Sequence, residues 1–121
     1  MSARERRSAP RLAKRLPITL VDAAGDMVVQ TTNISASGAY CTLTRFLPPM
    51  TKLQVRLEVP GNPHHGRIAC QGVVVRTEPS TPQPRRRRYD VAIFFSDITE
   101  HDRSAVARFV QQHVHTASTH G

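Results

Sequence analysis

Lys52-Leu53-Gln54-Val55-Arg56-Leu57-Glu58-Val59 alternates without a break. Leu53, Val55, Leu57 and Val59 fall on one side; Lys52, Gln54, Arg56 and Glu58 fall on the other. A period of two predicts a strand with one face in a core and one in water. Pro60-Gly61-Asn62-Pro63 ends it. The same texture recurs on both sides of this segment. Downstream, 67–77 reads as a strand, and a loop opening at Pro79 holds a run of arginines before a last strand over 89–95. There Val91, Ile93 and Phe95 oppose Ala92 and Phe94, although Phe94, Phe95 and Phe109 are all expected to serve the core. Upstream, 16–22 and 27–34 read as strands about a hairpin turn at Ala23-Ala24-Gly25-Asp26, where Gly25 can take positive φ. A break at 35–38 separates the second of these from another extended stretch at 39–43.

After Phe95 the period changes. Thr99 suits an N-cap, Glu100 and Asp102 suit the positive end of a helix, and Val106, Phe109, Val110 and His113 recur at helical spacing. Several short antiparallel strands with one terminal helix predict a mostly β fold, a small antiparallel barrel plugged by that helix. The expected organisation is a flexible basic arm at 1–15, a barrel and helix at 16–116, and a disordered tail at 117–121.

Charge is distributed unevenly. The chain of 121 residues carries +8. Arg4, Arg6, Arg7, Arg11, Lys14 and Arg15 face only Glu5 in the first fifteen residues, and Arg85–Arg88 add a second cluster. The remainder is close to neutral. Two basic clusters on a neutral body imply an anionic partner: a nucleotide, a nucleic acid or an acidic protein surface. Cys41 and Cys70 lie apart in apolar stretches and read as buried free thiols. No long apolar run or leader-like segment is seen, so a cytoplasmic setting without a membrane span is expected. His64-His65 and His113-x-His115 lack further ligands at metal-site spacing, and no nucleophile is paired with an oriented base. Metal binding and enzymatic activity are therefore not expected.

Two short stretches suit a guanine nucleotide: Arg6-Arg7-Ser8-Ala9-Pro10-Arg11 and Asn33-Ile34-Ser35-Ala36-Ser37-Gly38. A guanidinium offers a flat fork of donors for phosphate oxygens or for guanine O6 and N7, and it stacks on a purine. The Asn33 oxygen can accept from guanine N1–H or N2–H. Ser35 offers a hydroxyl and a backbone N–H, and Gly38 allows a sharp turn or close approach. Small basic barrels also bind single-stranded nucleic acid, but through exposed aromatics. With the phenylalanines above assigned to the core, only Tyr40, Phe46 and Tyr89 remain, so nucleic acid is disfavoured.

The order of these motifs, Arg7-x-x-x-Arg11 before the first strand and Asn33-x-Ser35-x-x-Gly38 after the second, resembles the PilZ domain family. Gly72-Val73-Val74-Val75-Arg76 resembles a later strand of that family, and Tyr89–Phe95 with its following helix resembles the end of the domain. The resemblance implies a six-stranded antiparallel barrel that binds cyclic di-GMP. Arg7 and Arg11 would hold phosphates and stack on guanine, with Arg6 adding a contact. Asn33 would read a guanine edge, Ser35 a phosphate or base, and Gly38 would keep the turn open. Asp90 stands where many relatives carry Gly. The implied role is a second-messenger receptor with no cofactor, whose arm orders over the ligand and changes a surface for a downstream protein. The alternatives are a module of this shape that acts by protein contact alone, and a small basic barrel that binds single-stranded nucleic acid.

Overall fold

Alternating strands give the sheet one apolar face, and the sheet closes around it. The computed structural model describes residues 11–59 and 67–120, with side chains through residue 113. The strands are β1 (Pro17–Asp22), β2 (Gly25–Ser35), β3 (Gly38–Leu43), β4 (Lys52–Glu58), β5 (Arg67–Glu78) and β6 (Tyr89–Asp97), followed by helix α1 (Glu100–His120). They form a closed barrel in the order β1-β2-β3-β6-β5-β4. Every neighbouring pair is antiparallel, and β1 returns to β4 through Ile18↔Leu57 and Leu20↔Val55. Leu53, Val55 and Leu57 are buried and their alternates exposed, as the period of β4 requires.

The core combines inward residues of all six strands with one stripe of α1: Ala105, Val106, Phe109 and Val110. Thr99 caps that helix, its Oγ1 accepting from the Asp102 N–H at 3.1 Å. The Arg103 Nη1 donates to the Ala36 carbonyl at 3.3 Å, which fastens the helix to the turn between β2 and β3. Cys41 and Cys70 are buried free thiols. Burial pushes their pKa values up to about 12 and about 11, so neither is a thiolate at neutral pH.

Phe94 departs from expectation. Phe95 and Phe109 are buried, but Phe94 is 47% exposed. Successive residues of a strand point to opposite faces. Phe95 enters the core with Val91 and Ile93, and Phe94 is left outside. Tyr89 takes the interior place instead, 3% exposed and edge-on to Phe46 with ring centroids 5.6 Å apart. The helix also continues to His120, beyond the expected limit at 116. Gly121 is the first helix breaker after Thr99.

Contacts to the barrel begin before residue 16. Leu12 and Ile34 exchange both backbone hydrogen bonds, at 2.8 and 2.9 Å. The Thr31 hydroxyl donates to the Lys14 carbonyl at 2.6 Å and accepts from the Leu16 N–H at 2.9 Å. The stretch 11–15, expected to be free, is thus laid along β2. Buried Thr31 supplies the hydrogen bonds that an extended chain without a sheet partner lacks.

Candidate functional site

The site forms where β2 turns into β3. Ala36 and Ser37 make the turn, and Ser35 pairs with Gly38 across it. A register shift between Thr31 and Asn33 marks a bulge in β2. The extra residue lets Thr31 and Ile34 both face inward while Asn33 stands opposite exposed Tyr40 on the outer face. Gly38 is needed for a reason beyond turning. A Cβ there would lie 2.1 Å from the Ile93 carbonyl oxygen, so only glycine lets β3 approach β6 so closely.

Arg11 is folded onto this turn. Its Nε–H donates to Asn33 Oδ1 at 2.8 Å, Nη1 to Ser35 Oγ at 3.0 Å, and Nη2 to the Gly38 carbonyl at 3.5 Å. The guanidinium carbon lies 4.8 Å from the centre of the Tyr40 ring, a cation–π contact. Ser35 is fully buried, and its hydroxyl also receives the Ser37 N–H at 3.2 Å and meets Ser37 Oγ at 3.0 Å. The hydroxyl therefore holds Arg11 and the turn instead of facing outward. Asn33 Oδ1, expected to read a base, is engaged by Arg11; a second lone pair and the amide NH₂ remain to it.

Of the six residues singled out in the sequence, the fold brings together Arg11, Asn33, Ser35 and Gly38; Arg6 and Arg7 lie outside the described residues. Tyr40 belongs with them and was not recognised as a site residue. The signal was available, because Tyr40 alternates with buried Ala39 and Cys41 and so must face outward. Beside it lies an open cavity of about 410 Å³ lined by Thr32, Tyr40, Arg76, Arg88, Asp90 and Ala92, among others. Asp90 is an exposed member of this cavity, 3.4 Å from Arg88 Nε.

The architecture is a closed antiparallel barrel with an arginine docked on an Asn-Ser-Gly turn. The chain matches the family model of the PilZ domain over residues 5–112 and belongs to that family. Among solved structures it resembles the Bacillus subtilis inhibitor of motility MotI/DgrA, with a TM-score of 0.75 at 18% identity, over 90% of this chain and 51% of that one. The K. pneumoniae MrkH–c-di-GMP complex gives a TM-score of 0.69 at 14% identity, over 94% and 54%. The PilZ domain of CeSA from a cellulose-synthesising bacterium gives 0.53 at 17%, over 84% and 95%. The chain spans about half the length of MotI and MrkH. No curated protein matches it. Among the described residues, no helix is long and apolar enough to cross a membrane.

Proposed function

We propose that this PilZ chain is a cyclic di-GMP receptor, with the nucleotide held at the β2–β3 turn by Arg11, Asn33, Ser35 and Gly38 together with Arg6 and Arg7. The observation that carries this reading is the placement of the Arg11 guanidinium. It lies over the Tyr40 ring, 4.8 Å from its centre, with its Nε–H and Nη1 fixed by Asn33 and Ser35. These contacts and the long one to Gly38 engage three of its five N–H donors. A guanine stacked on the other face of the guanidinium would complete a Tyr40–Arg11–base sandwich, and the remaining N–H donors suit phosphate oxygens. The cavity beside Tyr40 gives room for the rest of the ligand, within the range of nucleotide-sized sites.

In this reading Arg6 and Arg7 close over the phosphates while Arg11 is already in place. The change of surface is what a cytoplasmic downstream protein reads. Titration calorimetry tests ligand identity. Cyclic di-GMP should bind with a Kd of about 1 μM or tighter, about −8 kcal/mol, and cyclic di-AMP much more weakly, since adenine lacks O6 and N1–H. Equal affinity for the two, or no heat with either, rejects the reading and favours a module acting by protein contact alone.

A further inference from the structure

Arg85, Arg86 and Arg87 have no place in the site just described. β3 runs from Gly38, opposite Phe94, to Leu43, opposite Tyr89. The loop between β5 and β6 therefore sits at the far end of the barrel from the β2–β3 turn. It is not a loose tether. The Tyr89 hydroxyl accepts from the Gln83 N–H at 3.0 Å and donates to the Gln83 carbonyl at 3.2 Å. The Arg86 N–H reaches the same carbonyl at 3.0 Å, and Arg86 Nε donates to the Arg88 carbonyl at 2.8 Å. Buried Tyr89 thus fixes the loop, which lowers the ordering cost of binding there. Among the ion pairs of the described residues, Arg88 meets Asp90, while Arg85, Arg86 and Arg87 meet no carboxylate.

These arginines and Thr44 line an open cavity of about 580 Å³. Thr44 also borders a second one, of about 450 Å³, which takes in Arg15, Gln30, Thr42 and Arg88. Thr32 and Arg88 in turn connect that one to the cavity beside Tyr40. No acidic residue lines the first two. In the third, Glu78 and Asp90 are each paired with an arginine, at 3.0 and 3.4 Å. The result is a basic track along the outer face of β2, β3 and β6, lined by hydroxyls and, in its middle, by Met27, Val28 and Val29. At its end stand Tyr40 and Phe94, 44% and 47% exposed. The pairings Tyr40↔Ala92 and Gly38↔Phe94 make them diagonal neighbours on one face.

We infer that this track is a binding surface for single-stranded nucleic acid, with Arg85, Arg87 and Arg15 on backbone phosphates and Phe94 as a stacking platform for a base. Arginine forks and hydroxyls match phosphate oxygens. Exposed aromatic faces match unpaired bases, which a duplex keeps inside its stack. The six residues of β3 alone span about 20 Å, enough for a footprint at the short end of the range of about 4–16 nucleotides that small barrels cover. The burial expected for Phe94 was the reason to set nucleic acid aside, and the fold places that ring outside.

Fluorescence anisotropy with a labelled oligothymidylate of about a dozen nucleotides, a duplex of equal length and a poly-glutamate peptide of equal charge tests this. The single strand should bind tightest, with log affinity falling against log salt by about 0.7 per phosphate contact. Arg85→Ala/Arg87→Ala should weaken binding about tenfold or more and flatten the slope by about 1.4, losing about two contacts. Phe94→Ala should weaken it about fivefold with the slope unchanged. The double variant should keep its calorimetric affinity for cyclic di-GMP, since Arg85 and Arg87 lie outside the cavity beside Tyr40 where the two surfaces meet. Equal binding of duplex or peptide, or a slope indifferent to the loop, overturns the inference. Loss of cyclic di-GMP affinity in the double variant overturns it as well. Failure of cyclic di-GMP to bind the wild-type protein bears only on the nucleotide reading.

Discussion

At one end of the barrel Arg11 lies on Tyr40 with its N–H donors held by Asn33 and Ser35; at the other, Arg85, Arg86 and Arg87 project from a fixed loop with no carboxylate partner among the described residues. The residue type is the same and the preparation is not. A guanidinium whose plane and fork are set by the protein presents one geometry, which suits a ligand with a defined shape. Arg86 is held by its Nε–H on the Arg88 carbonyl, but Arg85 and Arg87 present charge more than a set geometry, which suits any chain of phosphates. On the functions proposed above, shape selectivity belongs to the turn end, and salt-sensitive attraction to the loop end.

The largest effect expected is on the scaffold of the turn end. Gly38→Ala places a methyl 2.1 Å from the Ile93 carbonyl oxygen, where backbone must move. It should cost about 3 kcal/mol or more, seen as a fall in Tm. Gly72→Ala is the internal control. Its methyl would meet the γ-methyls of Ile93 and Val55 at 2.9 and 3.0 Å and the Phe94 carbonyl oxygen at 3.3 Å. The nearest atoms are side chains and the backbone lies farther off, so a smaller cost of about 1–3 kcal/mol is expected. If Gly38→Ala melts like wild type, the glycine serves the ligand and not the barrel.

Arg11→Ala comes next. Losing a charge-assisted hydrogen bond costs about 1.5–3 kcal/mol, so cyclic di-GMP affinity should fall about 10- to 100-fold by calorimetry. Arg11→Lys should recover little, because an ammonium neither forks nor stacks as a plane. Full recovery by lysine would reduce the turn end to a point charge and erase its contrast with the loop.

Much of this was legible in the chain. Alternation alone sorted inside from outside in β4 and β6, and the Asn-x-Ser-x-x-Gly spacing marked the turn to which Arg11 docks. What escaped depends on register. The partner of Asn33 is Tyr40 only because of a bulge in β2, which alternation does not announce. The tight approach of Gly38 to Ile93 needs the pairing of β3 with β6, strands separated by a long stretch of sequence. Leu12 lies on β2 because Ile34 offers it backbone groups, a contact with no local signal. Phe94 was misjudged by hydrophobicity where the alternation already placed it outside.

Smaller effects sharpen the same contrast. Arg85→Ala/Arg86→Ala should leave cyclic di-GMP affinity within about twofold, under 0.5 kcal/mol, measured by the same titration. Dominance of the loop over Arg11 would invert the account. The smallest effect is electrostatic. The hydrogen bond from Arg45 to Asp22, at 2.8 Å, holds that carboxyl below the usual aspartate value. A lowered folded pKa stabilises the protein above the unfolded value of about 3.9 and loses that benefit as pH falls below it. Asp22→Asn should therefore lower stability at neutral pH by less than about 1 kcal/mol, since Arg45 is partly exposed. The gap to wild type should close below about pH 4 in melts taken across pH.

The most direct test of the central claim, that the nucleotide is gripped at the turn end, is amide hydrogen exchange with and without saturating cyclic di-GMP. Exchange should slow across 6–12 and 33–38 and stay unchanged in β4, β6 and the loop at 79–88. Slowing confined to 79–88, or none at 6–12 and 33–38 while the ligand is bound, would contradict it.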